Sequence, residues 1–408
     1  MVAIRSGESE PYPVRMFLLN SSVYTTLSEK TVAMNRRAFI QTSLITSLVA
    51  PAISTRTASV IPSLDYWNIQ TFAVTTDRPL PNALPRWRGF NLLEKFVARG
   101  SRRTRPYRER DFEWMANWGF DFARLPMSYQ CWSPGDPEHW TELDETVLKD
   151  IDQAVALGKQ YKIHVNLNMH RIPGYCVNPP AESLDLWKDD RALEAAVFHW
   201  KHLAERYRGI PNTEVSFDLI NEPAKVEEAD YVRVVKALMA GIRSVDPDRL
   251  IVADGLQYGT VPVFGLVGTG LGQSTRGYGP MTVSHYQANW VSGSSEWPVP
   301  TWPTEGKGTN WSAEMLQKKM IEPWQKLQAQ GVGIHVGEWG CYNKTPHEVA
   351  LAWMEDQLKL WQTAGWGWSL WNLRGAFGIL NSDRPDVVYK DYQGEKLDEK
   401  MLALLQRY

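Results

Sequence analysis

Cysteine is scarce in this chain: Cys131, Cys176 and Cys341 are the only three, and no two stand in CxxC spacing. A thiolate zinc ribbon or a thioredoxin-type redox pair therefore finds no support. In an exported protein Cys131 and Cys176 are a pair that could oxidise, and three thiols is the other reading. An excess of charge of either sign is lacking too, the formal net charge being −2, so nothing recommends a polyanion such as nucleic acid as partner. Several catalytic signatures are missing as well. No serine sits in GxSxG, and no GxGxxG opens a helix after the first strand. His164 and His170 lie on one strand about 20 Å apart, at roughly 3.3 Å per residue, too far to share a metal ion. After residue 85 there is no Pro/Gly/Ser-rich linker or low-complexity tract, so one domain is expected.

Tryptophan is what the chain has in plenty, 19 residues. Its wide apolar face with a single donor suits cores and also stacking on sugar rings. Near the N-terminus, "MNRRAFIQTSLITSLVAPAIST" from Met34 carries Arg36 and Arg37, then an apolar segment, then Ala50-Pro51-Ala52. That order reads as a signal peptide rather than a membrane span, and the paired arginines resemble a twin-arginine export signal cleaved after Ala52. Residues 1–33 show no apolar periodicity, which places the expected translation start at Met34. The expected division is a leader over 1–52, an extension over 53–85 packing on the next unit, and a catalytic domain over 86–408. The expected location is the periplasm or the exterior, with no membrane attachment once the signal is removed.

Beyond residue 85, short apolar runs alternate with longer amphipathic ones. Strands are expected at 86–93, 120–127, 162–170, 214–222, 250–256, 279–286 ("GPMTVSHY"), 333–340 and 366–373. Helical periodicity fills most of the intervals, as in "DETVLKDIDQAVALGKQY" and "HEVALAWMEDQLKLWQTA"; the Gly-rich stretch after the fifth strand is a poor helix. Eight β–α alternations fit an α/β fold of the (β/α)8 TIM-barrel type better than an open doubly wound sheet.

In such a barrel the chemistry collects at the C-terminal ends of the strands, where Arg124, His170, Asn221, Glu222 and Glu338 fall. Glu222 ends strand four and Glu338 strand seven, so closure of the barrel brings both to one mouth. Two carboxyl groups are what glycosidic cleavage requires, one to protonate the leaving oxygen and one to attack or activate water. The other reading is a strand-end salt bridge with Arg124.

The ordered set "RGFNL", "RLPM", "NMHRIPGY", "LINEP", "GEWG" and "WGWSLWN" resembles glycoside hydrolase family 5, the retaining cellulase-like barrels, over about residues 86–408. The resemblance implies Glu222 as acid/base and Glu338 as nucleophile, roughly 5–5.5 Å apart. It further implies Asn221 on the sugar 2-hydroxyl, Arg124 bracing the nucleophile, His170 lining the reacting subsite and Trp371 as its platform. No cofactor or metal is implied; the partner is a β-linked glucan or mannan, and a monomer is expected. Trp132 and Trp290, after strands two and six, are candidate platforms farther out, with core packing as the equal alternative.

The sixth strand departs from the family pattern. His-x-Tyr followed by x-Pro is matched by Arg276-Gly277-Tyr278-Gly279-Pro280, which keeps Tyr278 and replaces His with Arg; a register from His285 would meet Gln287 in place of the Tyr. A cation within about 4–6 Å of Glu222 lowers its pKa and works against an acid role, so Arg276 is expected to point away from it. Two further readings stay open: a carbohydrate-binding barrel without turnover, which the presence of both carboxylates disfavours, and a barrel acting on a phosphorylated metabolite, which lacks a Gly-rich phosphate loop after strand seven.

Overall fold

The computed structural model describes residues 82–98, 105–305 and 310–408. The chain divides into two units, and one of them, Leu19–Asp77, lies outside these residues, as do the expected leader and all of the expected extension before Asn82.

Eight parallel strands close into a barrel in sequence order: β1 (Arg88–Asn91), β2 (Phe122–Ser128), β3 (His164–Arg171), β4 (Val215–Asp218), β5 (Ile251–Asp254), β6 (Gly272–Gly277), β7 (Ile334–Trp339) and β8 (Gly367–Leu370). β8 returns to β1 with Phe90 opposite Leu370. The fold is the (β/α)8 barrel that the alternation implies. Helices Glu109–Asn117, Glu145–Tyr161, Asp190–Arg206, Glu228–Arg243 and His347–Ala364 fill five of the crossovers. The β6–β7 crossover is broken into Ala313–Leu316, a π turn at Gln317–Ile321 and Glu322–Gln328, just where Pro323 cannot donate to the preceding turn. Of the Gly-rich stretch after β5, the first part forms only the short turn Phe264–Leu266 and no helix, while the rest supplies β6.

Local sequence accounts for the helix ends. Asp144 accepts from the Thr146 amide to start one helix, and Asp189 accepts from the Arg191 and Ala192 amides to start the next. Along Glu145–Tyr161 the buried Val147, Leu148, Ile151, Ala154 and Val155 recur every three or four residues and face the sheet. Each Leu, Ile or Val so enclosed contributes about 1.5–3 kcal/mol. The main apolar core thus lies between strands and helices, which leaves the barrel interior to polar side chains.

The sixth strand is not where the hydrophobic pattern places it. "GPMTVSHY" contains only the short helical turn Met281–Ser284, and the strand is the preceding GQSTRG. Gln273, Ser274 and Arg276 are enclosed because each finds a polar partner rather than because any is apolar. Gln273, for example, accepts from the Val263 amide at 2.9 Å and donates to the Val263 carbonyl at 2.8 Å. A strand satisfied in this way has no hydrophobic signature to read.

Beneath β1 the described end of the extension seals the barrel floor. The Asn82 side chain accepts from the Ile334 amide and donates to its carbonyl, both at 2.8 Å. Above it Trp87 stacks on His164 at 3.7 Å and Phe122 lies 4.5 Å from His335. A cavity of about 10 Å³ separates this floor from the charged side chains at the mouth.

Candidate active site

Strand pairing sets the site. Asn91 faces Arg124 across β1–β2, and a bulge at Thr275/Arg276 brings Arg276 opposite Glu338 across β6–β7. Inward residues of neighbouring strands therefore meet in one layer at the barrel mouth.

Two guanidinium groups organise that layer, each almost wholly enclosed. Arg124 donates from Nε to Asp218 Oδ2 at 2.8 Å, from Nη1 to Glu338 Oε1 at 2.6 Å and Asn91 Oδ1 at 3.0 Å, and from Nη2 to Asn221 Oδ1 at 2.9 Å. The brace expected between Arg124 and Glu338 is a salt bridge as well, so the two readings of Arg124 coincide. Arg276 donates from Nε to Glu222 Oε1 at 2.9 Å, from Nη1 to Asp254 Oδ1 at 3.0 Å, and from Nη2 to Asn221 Oδ1 at 2.9 Å and to Asp254 Oδ2. Its Nη2 also lies 3.5 Å from Glu338 Oε1. The expectation that Arg276 turns away from Glu222 is thus overturned: the arginine lies directly on it.

The lowering pull expected from that contact is present but outweighed. Glu222 is raised to about 8, first by burial and then by the Glu338 charge; Arg276 pulls the other way, and Asp254 adds to the rise. Burial and the neighbouring carboxylates Glu338 and Asp254 together outweigh the pull of the guanidinium. Asp218 is likewise raised, to about 7, by burial and then by Asp254, against the pull of Arg124.

The neighbours of the two carboxylates are each fixed by the backbone or by a second side chain. Glu222 takes φ +47°, its amide donates to Asp254 Oδ2 at 2.8 Å, and its carbonyl accepts from Tyr175 Oη at 2.7 Å. A left-handed glutamate is uncommon, and these bonds over-determine it. Tyr278 donates to Glu338 Oε2 at 3.3 Å. Both arginines hold Asn221 Oδ1, so its amide nitrogen must be the group 3.4 Å from His170 Nε2. That nitrogen therefore accepts and the ring proton sits on Nδ1, 4.0 Å from Glu338 Oε1. His170 is held neutral, well below the ordinary value, by burial and then by the Arg124 and Arg276 charges. Trp371 stacks near it at 5.7 Å and 26°, keeping part of its ring exposed.

The outer tryptophans separate. Trp132 is not a platform: it is 1% exposed and donates from its indole to His199 Nδ1 at 3.2 Å, because the loop after β2 folds inward. Trp290 is partly exposed and packs edge-on against Tyr342 at 4.7 Å, within a cluster that reaches Tyr278 through His285. Cys131, Cys176 and Cys341 remain thiols. Among the described residues no cluster of His, Cys, Asp and Glu is arranged to hold a metal ion, and no helix is long and apolar enough to cross a membrane.

Three residues of the layer escape sequence reasoning: Asn91, Asp218 and Asp254. Asp254 carried a usable signal, since it ends an apolar run in "IVADG" as Glu338 ends "IHVGE". Asn91 and Asp218 carried a weaker one, alternation with Gly89 and Ser216 along strands whose inward face is polar.

A barrel whose mouth sets two carboxyl groups around shared arginines has the architecture of a glycoside hydrolase. Residues 88–376 match the cellulase family, glycosyl hydrolase family 5, and the chain belongs to it. It is a glycosidase. It is 23% identical to Endoglucanase C of Acetivibrio thermocellus over 304 residues, 68% of this chain and 88% of that one. Among solved structures, one described as a glycoside hydrolase aligns at 37% identity with a TM-score of 0.75, covering 79% of this chain and 99% of the other. The endoglucanase Cel5A from Thermotoga maritima aligns at 20% identity and a TM-score of 0.62, over 78% and 96%, a likeness of fold.

Proposed function

We propose that the protein is a retaining β-glycosidase that cleaves β-linked glucan or mannan chains from within. Glu222 delivers its proton to the glycosidic oxygen while Glu338 attacks the anomeric carbon, so that the leaving sugar departs as an alcohol and a glycosyl ester forms on Glu338. Glu222, now ionised, then takes a proton from water as that water displaces Glu338 from the same carbon. The observation that carries this reading is the division of environments: Glu222 is raised to about 8, while Glu338 accepts from Arg124 at 2.6 Å and from Tyr278 at 3.3 Å. Two carboxyl groups held so differently take the acid and the nucleophile roles respectively.

The remaining contacts support the same assignment. Trp371, partly exposed beside His170, offers a face for the reacting sugar. The names of relatives such as Endoglucanase C favour glucan and internal cleavage. The twin-arginine pattern at Arg36 and Arg37 favours export, and we expect a monomer. The purified protein should release oligosaccharides of several lengths from a β-1,4-glucan, fastest within a panel that includes mannan and xylan. Release of monosaccharide alone would replace internal cleavage with end-wise action, and no release from any member would remove the reading.

A further inference from the structure

An arginine against a general acid is a poor neighbour unless something else takes up its charge, and Asp254 is placed to do so. It ends β5, is fully enclosed, and faces Arg276 with both oxygens, one on Nη1 at 3.0 Å and the other on Nη2. The same Oδ2 accepts from the Glu222 amide at 2.8 Å. One carboxylate therefore grips the cation and the backbone of the acid together, a fork that fixes orientation as well as charge.

The niche around Arg276 is built for this side chain. A Cβ on Gly259, which takes φ +74°, would lie 2.7 Å from Arg276 Cγ, and a Cβ on Gly337 would lie 2.9 Å from its Nη1. Ser274 accepts from Nη1 at 3.0 Å and closes the remaining side. With one glycine in the turn after β5, another within β7 and a small hydroxyl on its own strand, the guanidinium is held in the pose that puts Nε on Glu222.

We propose, on the footing of the acid/base role given to Glu222 above, that Asp254 is a positioning residue which compensates the charge of Arg276, so that a cation occupies the family's histidine position without discharging the acid. The titratable groups facing Glu222 come from every side. Glu338 stands on β7, Arg276 and Tyr278 on and after β6, Asp254 and Tyr258 on and after β5, and Tyr175 and Cys176 after β3. Of these Arg276 alone is a cation, and Asp254 is the carboxylate that grips it with both oxygens.

The test is a charge cycle read on pH–rate profiles. Asp254→Asn removes the compensating charge, and the basic limb of turnover on a β-glucan should move to lower pH by about one unit or more. Arg276→Met should move that limb upward, and the double variant should bring it back near the wild-type position. A 2,4-dinitrophenyl β-glycoside, whose leaving group needs no proton, should keep most of its turnover in Asp254→Asn at neutral pH while glucan hydrolysis falls. Limbs that stay in place in both single variants, or equal losses on the two substrates in folded protein, would overturn the role. If Asp254→Asn alone does not fold, the double variant decides against Arg276→Met: a basic limb below that of Arg276→Met supports the charge of Asp254 acting on Glu222, and coincident limbs refute it. Wild-type protein inactive on both substrates would instead refute the glycosidase reading itself.

Discussion

His164 and His335 stand on the barrel floor and Arg124 and Arg276 at its mouth, all four enclosed by the same eight strands, yet the floor is neutral and the mouth is charged. Burial pushes both histidines down to about 3, so they enter the fold as uncharged rings stacked among Trp87 and Phe122. Burial opposes the charge of both arginines too, but Asp218, Asp254, Glu222 and Glu338 surround them and keep them ionised. Enclosure alone therefore does not decide protonation; the number of countercharges within reach does. In the function proposed above, the charged layer supplies both the proton donor and the nucleophile, which confines the chemistry to the mouth.

Removing either carboxyl group at the mouth should have the largest effect on activity and little on stability. Glu222→Ala should lower turnover of a glucan by about 10²–10⁴-fold, the usual worth of general acid–base assistance, and Glu338→Ala should abolish it. Steady-state rates alongside thermal melts check both. A loss of melting temperature matching the loss of activity would move these residues from chemistry to structure.

Arg124→Met attacks the comparison from the other side, because it leaves Asp218 and Glu338 enclosed without their shared cation. Breaking a buried pair in this way costs about 3–5 kcal/mol, and the urea midpoint should fall accordingly while glucan hydrolysis is lost. If stability is unchanged, the carboxylates at the mouth do not depend on that arginine.

The floor should show itself in the pH dependence of stability. His335 has an ordinary pKa of 6.5 and a folded one of about 3, so below pH 6.5 the unfolded chain takes up a proton that the folded chain refuses. Stability is fully present above pH 6.5 and falls as pH drops toward 3, by about 1.4 kcal/mol per pH unit for one histidine. His335→Gln should flatten the fall between pH 6 and pH 4 by that amount while leaving the pH–rate profile at neutral pH in place. Urea midpoints at a series of pH values measure it, and an unchanged slope would place a charged His335 in the native fold.

Most of the barrel was legible because seven strands announce themselves by apolar runs and the helices between them by three-to-four periodicity. The sixth was not, since Gln273, Ser274 and Arg276 are buried through polar partners, and its apolar neighbour Met281–Ser284 drew the reading instead. At the site, Arg124, Asn221, Glu222 and Glu338 could be placed because strand ends of a barrel converge whatever their distance in sequence. What a sequence does not state is which way a side chain leans. Trp132 leaned into the core, and Arg276 leaned onto Glu222 because Gly259 and Gly337 leave it room and Asp254 draws it in.

The central claim is that Glu222 and Glu338 divide the acid and nucleophile roles, and azide rescue of the two alanine variants on an activated β-glycoside tests it directly. In Glu338→Ala azide should replace the lost nucleophile and attack once, giving the α-glycosyl azide. In Glu222→Ala it should attack the intermediate on Glu338, giving the β-glycosyl azide with configuration retained. Nuclear magnetic resonance of the two products distinguishes them, and the same anomer from both variants, or the reverse assignment, would contradict the account.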